Sequence, residues 1–339
     1  VEYHQRILEE LDRHYPVHRV ESIDEMSFEL DVERCELARA IDLAEQMRRG
    51  LRERVGECLR CSIGLAPNAF LAKVATDMEK PDGLVVIKRS ELPGRLLELE
   101  LQDLPGIGRQ MLPRLQLGGI QSMEDLWQAP AGVLRKIWGG VMGTRFWYHL
   151  HGYTLASEET RRSSVGHSQM LAPAMRKPEQ ALLVVQRLLQ KAASRLRRLG
   201  YECQLAQLNI RTERHFRGEW QKRFSPVSDT HYLVRMLYEM WEEALPYLDR
   251  QRILKASITL MGLVNQEQAA QGDFLDQLFP AKLEVPKEKR DQVSRCMDEI
   301  NQRYGKDRVC LGLAPSYIHS YTGTKIAFNR IPDLTEFKE

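Results

Sequence analysis

The sequence predicts an α+β, multidomain chain, and three observations predict it. Up to Pro93, strand-like and helix-like segments alternate, as in a sheet layer carrying helices on one side. From about 95 to 158 the pattern turns helical and glycine-rich, with Gly106, Gly108, Gly118, Gly119, Gly139 and Gly140 among its glycines. Residues 165–264 then read strand, helix, strand, strand, helix, strand, a four-stranded α+β unit. The boundaries fall at 1–94, 95–160, 161–264 and 265–339.

Residues 2–15 form the first predicted helix, with Ile7, Leu8 and Leu11 on one face and Pro16 as its stop. Residues 17–23 and 27–32 are strand-like. A long charged helix over 36–55 places Leu37, Ile41, Ala44, Met47, Leu51 and Val55 at helical spacing. Cys58–Leu65 reads as a strand, Pro67–Met78 as a helix with proline in its first turn, and Leu84–Ile87 as a short strand. Helical segments at 95–102 and 109–117 flank a glycine turn. In the third segment the helices fall at 178–199 and 229–246, and the strands near 166–171, 203–212, 219–224 and 253–263. After a polar linker from 265, an amphipathic helix covers 286–303.

With 339 residues, 43% hydrophobic and 28% charged, the composition is that of an ordinary globular protein. A net charge of +2 does not by itself argue for a polyanionic partner. The crowding of cations into particular segments does. Six scattered cysteines without a framework fit a reducing cytoplasm. No apolar run reaches the ~18 residues of a membrane span, so no membrane partner is expected. The opening Val1-Glu2-Tyr3-His4 lacks the basic and apolar layout of a leader and reads as the middle of a longer protein.

Ser22-Ile23-Asp24-Glu25 holds the most informative chemistry. Adjacent carboxylates are unfavourable without a cation between them, and Mg²⁺ favours such hard oxygen ligands. On a regular strand the two side chains would point to opposite faces, so the pair serves one site only at a strand end or turn. Two blocks follow in order. Ser62-Ile-Gly-Leu-Ala-Pro-Asn-Ala-Phe-Leu-Ala-Lys73 leads into Asp77-Met-Glu-Lys80-Pro-Asp-Gly83, where Pro81 and Gly83 make a turn that can present Lys80. Leu104-Pro-Gly-Ile-Gly108 then lets backbone N–H groups approach a phosphate closely, with Arg109 and Arg114 just beyond.

Those three blocks, in that order, resemble the Y-family (translesion) DNA polymerases of the UmuC/DinB type. The resemblance implies a partial palm with an α/β sheet (1–94), a helical thumb with a helix-hairpin-helix (95–160), a four-stranded little finger (161–264) and a C-terminal tail (265–339). It implies template-directed nucleotidyl transfer on primer–template DNA with deoxynucleoside triphosphates and Mg²⁺, in translesion synthesis and the SOS response. Asp24 and Glu25 become two of three metal-binding acids, catalytic by that role. Lys80 becomes the triphosphate ligand and Lys73 a template contact. Gly106, Gly108 and Arg109 become the sequence-independent DNA grip. The family's first acid and its fingers precede the palm segment present here, and Asp12, on a polar helical face, is no substitute. Met26-Ser-Phe-Glu-Leu-Asp31 also departs from the family's usual continuation.

Between 161 and 224 lies a dense basic set that includes Arg161, Arg162, Arg195, Arg197, Arg198 and Arg211. It suits a sheet riding on DNA phosphates, with Arg161, Arg162 and Arg211 the expected contacts. Arg195-Leu-Arg-Arg198 reads equally well as a solvated helix end. In the tail, Gln271, Phe274 and Leu275 resemble a sliding-clamp-binding peptide. Gln277-Leu-Phe-Pro280 is a competing register, and Met297–Lys306 resembles the UmuC-type C-terminus. Cys58-Leu-Arg-Cys61 lacks a second pair and reads as two thiols rather than a zinc site. Two rival readings remain open: a non-catalytic DNA- and clamp-binding accessory of mutagenic repair, and a helix-hairpin-helix nuclease or structural DNA binder, which leaves the Lys80 block unexplained.

Overall fold

A computed structural model describes residues 2–31, 36–156, 162–265, 286–305 and 307–312. They divide into two compact units, the first comprising the described residues before 157 and the second those after 161.

The first unit opens with helix α1 (Glu2–Asp12), a hairpin of β1 (Arg19–Val20) and β2 (Met26–Ser27), and helix α2 (Leu37–Gly50), whose last turn continues as π-helix over Leu51–Val55. Leu11 of α1 buries against Met47, Leu51 and Val55, the C-terminal part of the apolar stripe expected along 36–55, whereas Leu37 at its other end is exposed. Strand β3 (Ile63–Leu65) runs parallel to β4 (Leu84–Val86), with helix α3 (Ala69–Met78) as the crossover between them.

Several expected elements are shorter or different. The sheet layer is two separate two-stranded pieces. The first hairpin is confined to two residues per strand because the turn between them closes on itself: Glu21 N and Ser22 N both donate to Glu25 O, at 2.9 and 3.1 Å. Only the last three residues of Cys58–Leu65 pair as strand. Pro67 lies before the cap of α3, not within its first turn, because Asn68 takes the cap position. The expected helix at 95–102 is two 3₁₀ turns, Gly94–Glu98 and Leu101–Asp103. Leu99 between them is extended, and Glu100 N donates to the Asp103 carboxylate at 2.9 Å, which restarts the chain there. Leu96, Leu101 and Leu104 are still buried.

Four short helices complete the unit: α4 (Met111–Leu117), α5 (Met123–Gln128), α6 (Ala131–Trp138) and α7 (Val141–Leu150). They share one core with α3 and β4, built on Leu71, Val74, Val85, Leu115, Leu126 and Leu150.

In the second unit an antiparallel sheet has the order β5 (Ser164–Met170), β8 (Ile253–Met261), β6 (Tyr201–Thr212), β7 (Arg217–Val227). A short β9 (Val264–Asn265) pairs with β6. Helices α8 (Pro178–Arg198) and α9 (Thr230–Leu248) cover one face. Their apolar residues, including Val185, Leu189, Leu237 and Met240, bury against Ala206, Leu208, Ile210, Ile258 and Leu260. The sheet's alternation is clean, so β6 buries its even residues from 206 to 212.

Helix α10 (Lys287–Tyr304) and the turn at 307–312 pack onto this unit and do not stand apart as a tail. Ser294 Oγ accepts from Thr230 N at 3.0 Å, and Arg290 pairs with the fully buried Asp229 at 3.2 Å. Leu311 O accepts from both Gln186 and Gln190 of α8, at 2.7 and 2.9 Å. Among the described residues no helix is long and apolar enough to cross a membrane.

Candidate active site and nucleic-acid interface

The turn between β1 and β2 places Asp24 and Glu25 where adjacent side chains are freed from strand alternation. Ser22 Oγ donates to Asp24 Oδ1 at 2.6 Å and accepts from Asp24 N at 3.3 Å. Asp24 is exposed and Glu25 half-buried. The Glu25 carboxylate is ion-paired with Lys73. Lys73 also lies 3.4 Å from Asp77, and Asp77 pairs with Lys80 at 2.6 Å. Glu25, Lys73, Asp77 and Lys80 thus form a chain of alternating charge. Burial alone would lower the Lys73 pKa, but Glu25 and Asp77 outweigh it and raise it, which keeps the ammonium charged.

Three devices hold the helix that carries these groups. Gly64 of β3 lies so close to α3 that a Cβ there would overlap the Ala72 carbonyl. Asn68 caps α3 by accepting from Leu71 N at 2.8 Å. Its amide donates to His149 O and Tyr153 O at 2.9 and 3.0 Å, tying α3 to the end of α7. The Lys80 turn is held from α2. Arg48 donates to Asp82 O at 2.5 Å, and Arg52 pairs with the Asp82 carboxylate. Asp82, not Gly83, adopts the left-handed conformation, with φ 68°. Gly83 is required because a Cβ would strike the Glu79 carbonyl.

The oxygen donors of Asp24 and Glu25 fit a hard divalent cation in kind, and the turn already attracts a cation in the form of Lys73. Such an ion is commonly held by one or two carboxylates plus substrate phosphates. Among the described residues no group of three metal-ligating side chains comes together. The expected third acid therefore has no counterpart there, and Asp12 is spent on the Val17 backbone N–H at 2.9 Å.

At Leu104–Gly108 the apolar positions Leu104 and Ile107 are buried, and Gly106, Gly108, Arg109 and Gln110 are exposed. Gly106 has φ 93°, which favours glycine. Gly108 O accepts from Met111 N and Leu112 N at 3.0 Å, which starts α4. The backbone N–H groups of 106 and 108–110 donate to no described backbone carbonyl outside the helices and strands. They form an exposed donor set suited to an anion.

In the second unit the open sheet face carries a row of like charge: Arg217 of β7, Arg211 of β6 and Lys255 of β8 are in cross-strand register. Like charges directly opposite one another are unfavourable without an anion. Arg211 Nε is buried without a hydrogen-bond partner. Arg162 lies half-buried just before β5. Much of the remaining basic set is committed internally. Arg197, only 6% exposed, pairs with Asp298 of α10 at 2.7 Å; Arg187 and Lys191 meet Asp307; Arg176 meets Glu213; and Lys222 meets Glu243. Arg197 is accordingly a clasp for α10, not a solvated helix end, and Arg195 is buried beside it. Cys58 and Cys61 are free thiols, with Cys61 pushed up by burial. Arg161, Gln271, Phe274 and Leu275 lie outside the described residues. The sequence reading left Asn68 without a role although its place before an apolar helix is a cap signal. Nothing local in the sequence pointed to Arg48 or Arg52.

The chain matches three family models: the impB/mucB/samB family over residues 1–77, the DNA polymerase-iota thumb domain over 102–153, and the impB/mucB/samB C-terminal domain over 162–274. It is 29% identical to DNA polymerase IV of Serratia proteamaculans over 244 residues, covering 70% of this chain and 68% of that one. It is 28% identical to DNA polymerase IV of Moorella thermoacetica over 319 residues, covering 90% of this chain and 74% of the relative. The solved structure of a Y-family DNA polymerase chimera, Dbh-Dpo4(243-245)-Dbh, shares the fold with a TM-score of 0.63 at 24% identity, over 78% of this chain and 76% of that one. A mixed α+β chain with a helical thumb-type domain and a sheet domain matches the architecture of Y-family DNA polymerases. The chain belongs to the Y family of DNA polymerases.

Proposed function

We propose that this chain is a DNA-directed DNA polymerase of the translesion type, acting on primer–template DNA and deoxynucleoside triphosphates. The observation that carries this reading is the Asp24–Glu25 turn joined through Lys73 and Asp77 to the exposed Lys80. Asp24 and Glu25 would hold Mg²⁺, which when bound lowers the pKa of an attacking hydroxyl and steadies a triphosphate. Lys80, oriented by Asp77, supplies a compact positive charge for phosphate oxygens. Lys73 neutralises Glu25 until a cation or template phosphate competes for it. The N–H groups at 106 and 108–110 with Arg109, and the Arg162 and Arg211 surface, grip the DNA backbone without reading sequence. A role in SOS mutagenesis, cytoplasmic location and sliding-clamp binding through Gln271, Phe274 and Leu275 belong to the same reading.

The test is Asp24→Ala in the intact protein. Incorporation is expected to fall by roughly a hundredfold or more while DNA affinity stays within about twofold. Unchanged incorporation would overturn the reading. The rival reading is a non-catalytic DNA- and clamp-binding accessory. It predicts wild-type DNA binding with no incorporation before or after the substitution.

A further inference from the structure

The turn that carries Asp24 and Glu25 is packed on its Met26 side, against the Leu11, Met47 and Val55 cluster, but not at Ile23. Its flanking strands are two residues long. Ile23, the residue before Asp24, is 50% exposed, so its side chain does not anchor the turn. Its carbonyl is anchored instead. His4, in the first turn of α1 and only 3% exposed, places Nδ1 2.7 Å from Ile23 O. A carbonyl oxygen only accepts, so Nδ1 carries the proton. His4 Nε2 is buried with no hydrogen-bond partner, so the ring makes this one described hydrogen bond and no other from its side chain.

We propose that His4 is a positioning residue for the reaction: its Nδ1–H fixes the Ile23 carbonyl and so sets the direction in which Asp24 and Glu25 leave the turn. This rests on the polymerase reading for its consequence, but the anchoring is independent of it. Besides the two backbone bonds that close the turn on Glu25 O, three described side chains tie it, each at a different atom. Ser22 holds the Asp24 side chain, Lys73 holds the Glu25 side chain, and His4 holds the backbone. Of these side chains only His4 holds the turn's backbone from another element. A buried donor aimed at a backbone carbonyl is suited to this, because reacting groups displaced by about 1 Å lose orders of magnitude in rate.

The experiment compares His4→Leu, of similar bulk without a donor, with His4→Asn, whose amide N–H can stand in for Nδ1–H, in the full protein. Amide hydrogen exchange at Glu21 and Ser22, the two N–H groups that close the turn, is read by mass spectrometry. Primer extension gives kcat and KM separately. His4→Leu is expected to speed exchange about five- to tenfold, the effect of one hydrogen bond. It should lower kcat about tenfold or more with KM for DNA and the melting temperature near wild type. His4→Asn is expected to restore both to within about threefold. Wild-type exchange in His4→Leu overturns the proposal. So does equal loss of kcat and melting temperature in both variants, which would mean ring packing alone. If the wild-type protein itself incorporates no nucleotide, the polymerase reading falls, and exchange at Glu21 and Ser22 decides by itself whether His4 holds the turn.

Discussion

Replacing Asn68 tests how the first unit aligns its charged helix. The side chain is 8% exposed and makes three hydrogen bonds: it accepts from Leu71 N at 2.8 Å and donates to His149 O and Tyr153 O at 2.9 and 3.0 Å. The cap is worth about 1 kcal/mol and each donated bond about 1 kcal/mol. Asn68→Ala should therefore destabilise by about 3 kcal/mol, while Asn68→Ser, which keeps a capping oxygen but loses the amide donors, should lose about 2 kcal/mol. Asn68→Asp retains the cap yet turns a carboxylate oxygen toward two carbonyls, so it should be no better than alanine. For a unit of this size these values lower the melting temperature by about 4–10 °C. Urea unfolding followed by tryptophan fluorescence reports on the unit, since three of the five tryptophans, Trp127, Trp138 and Trp147, pack against its core. An Asn68→Ser variant that unfolds at the wild-type midpoint would refute the claim that the amide ties α3 to α7.

Acid should expose the Glu10 pair. Hydrogen bonding from Arg54, against the opposing effect of burial and with help from His14, lowers Glu10 from 4.5 to about 2. The folded value lies below the unfolded one, so its stabilisation is complete above pH ~4.5 and is lost as pH falls toward 2. That corresponds to about 3 kcal/mol at most, nearer 2 kcal/mol after screening around the half-exposed Arg54. Glu10→Gln should flatten the stability profile over that window in urea titrations. In the second unit, Arg197→Met leaves Asp298 without its partner and Ser228 O without its donor. Limited proteolysis within 286–305 should then quicken roughly tenfold, the effect of about 1.4 kcal/mol; an unchanged rate would mean that the clasp does not hold α10. Arg211→Ala should weaken DNA binding similarly on all sequences and reduce the salt slope by about one, measured by fluorescence anisotropy across salt concentrations.

Much of the chain was legible from local pattern. The strand–helix order of the second unit follows from apolar alternation, because a sheet with one covered face forces period-two burial. The stripe along α2 and the buried Leu104 and Ile107 of the glycine hairpin follow from spacing alone. The Asp24–Glu25 pair was readable as a turn because adjacent carboxylates can share a site nowhere else on a strand. Other features depended on partners distant in sequence. The 95–102 segment had leucines at helical intervals, but hydrogen bonding between Glu100 and Asp103 split it into two turns. The basic run at 195–198 read equally well as phosphate contacts or as a solvated helix end until α10, a hundred residues later, supplied Asp298 to Arg197. Gly83 looked like the residue with special backbone, yet Asp82 takes that conformation because Arg48 and Arg52 hold it there, and Gly83 serves only to clear a carbonyl. The sequence by itself determined which segments fold and which side chains can meet phosphate or metal. Which cations are spent inside the protein, which remain for a partner, and what holds the carboxylate turn were decided by tertiary structure, because ion pairs and buried hydrogen bonds depend on distances that no local pattern encodes.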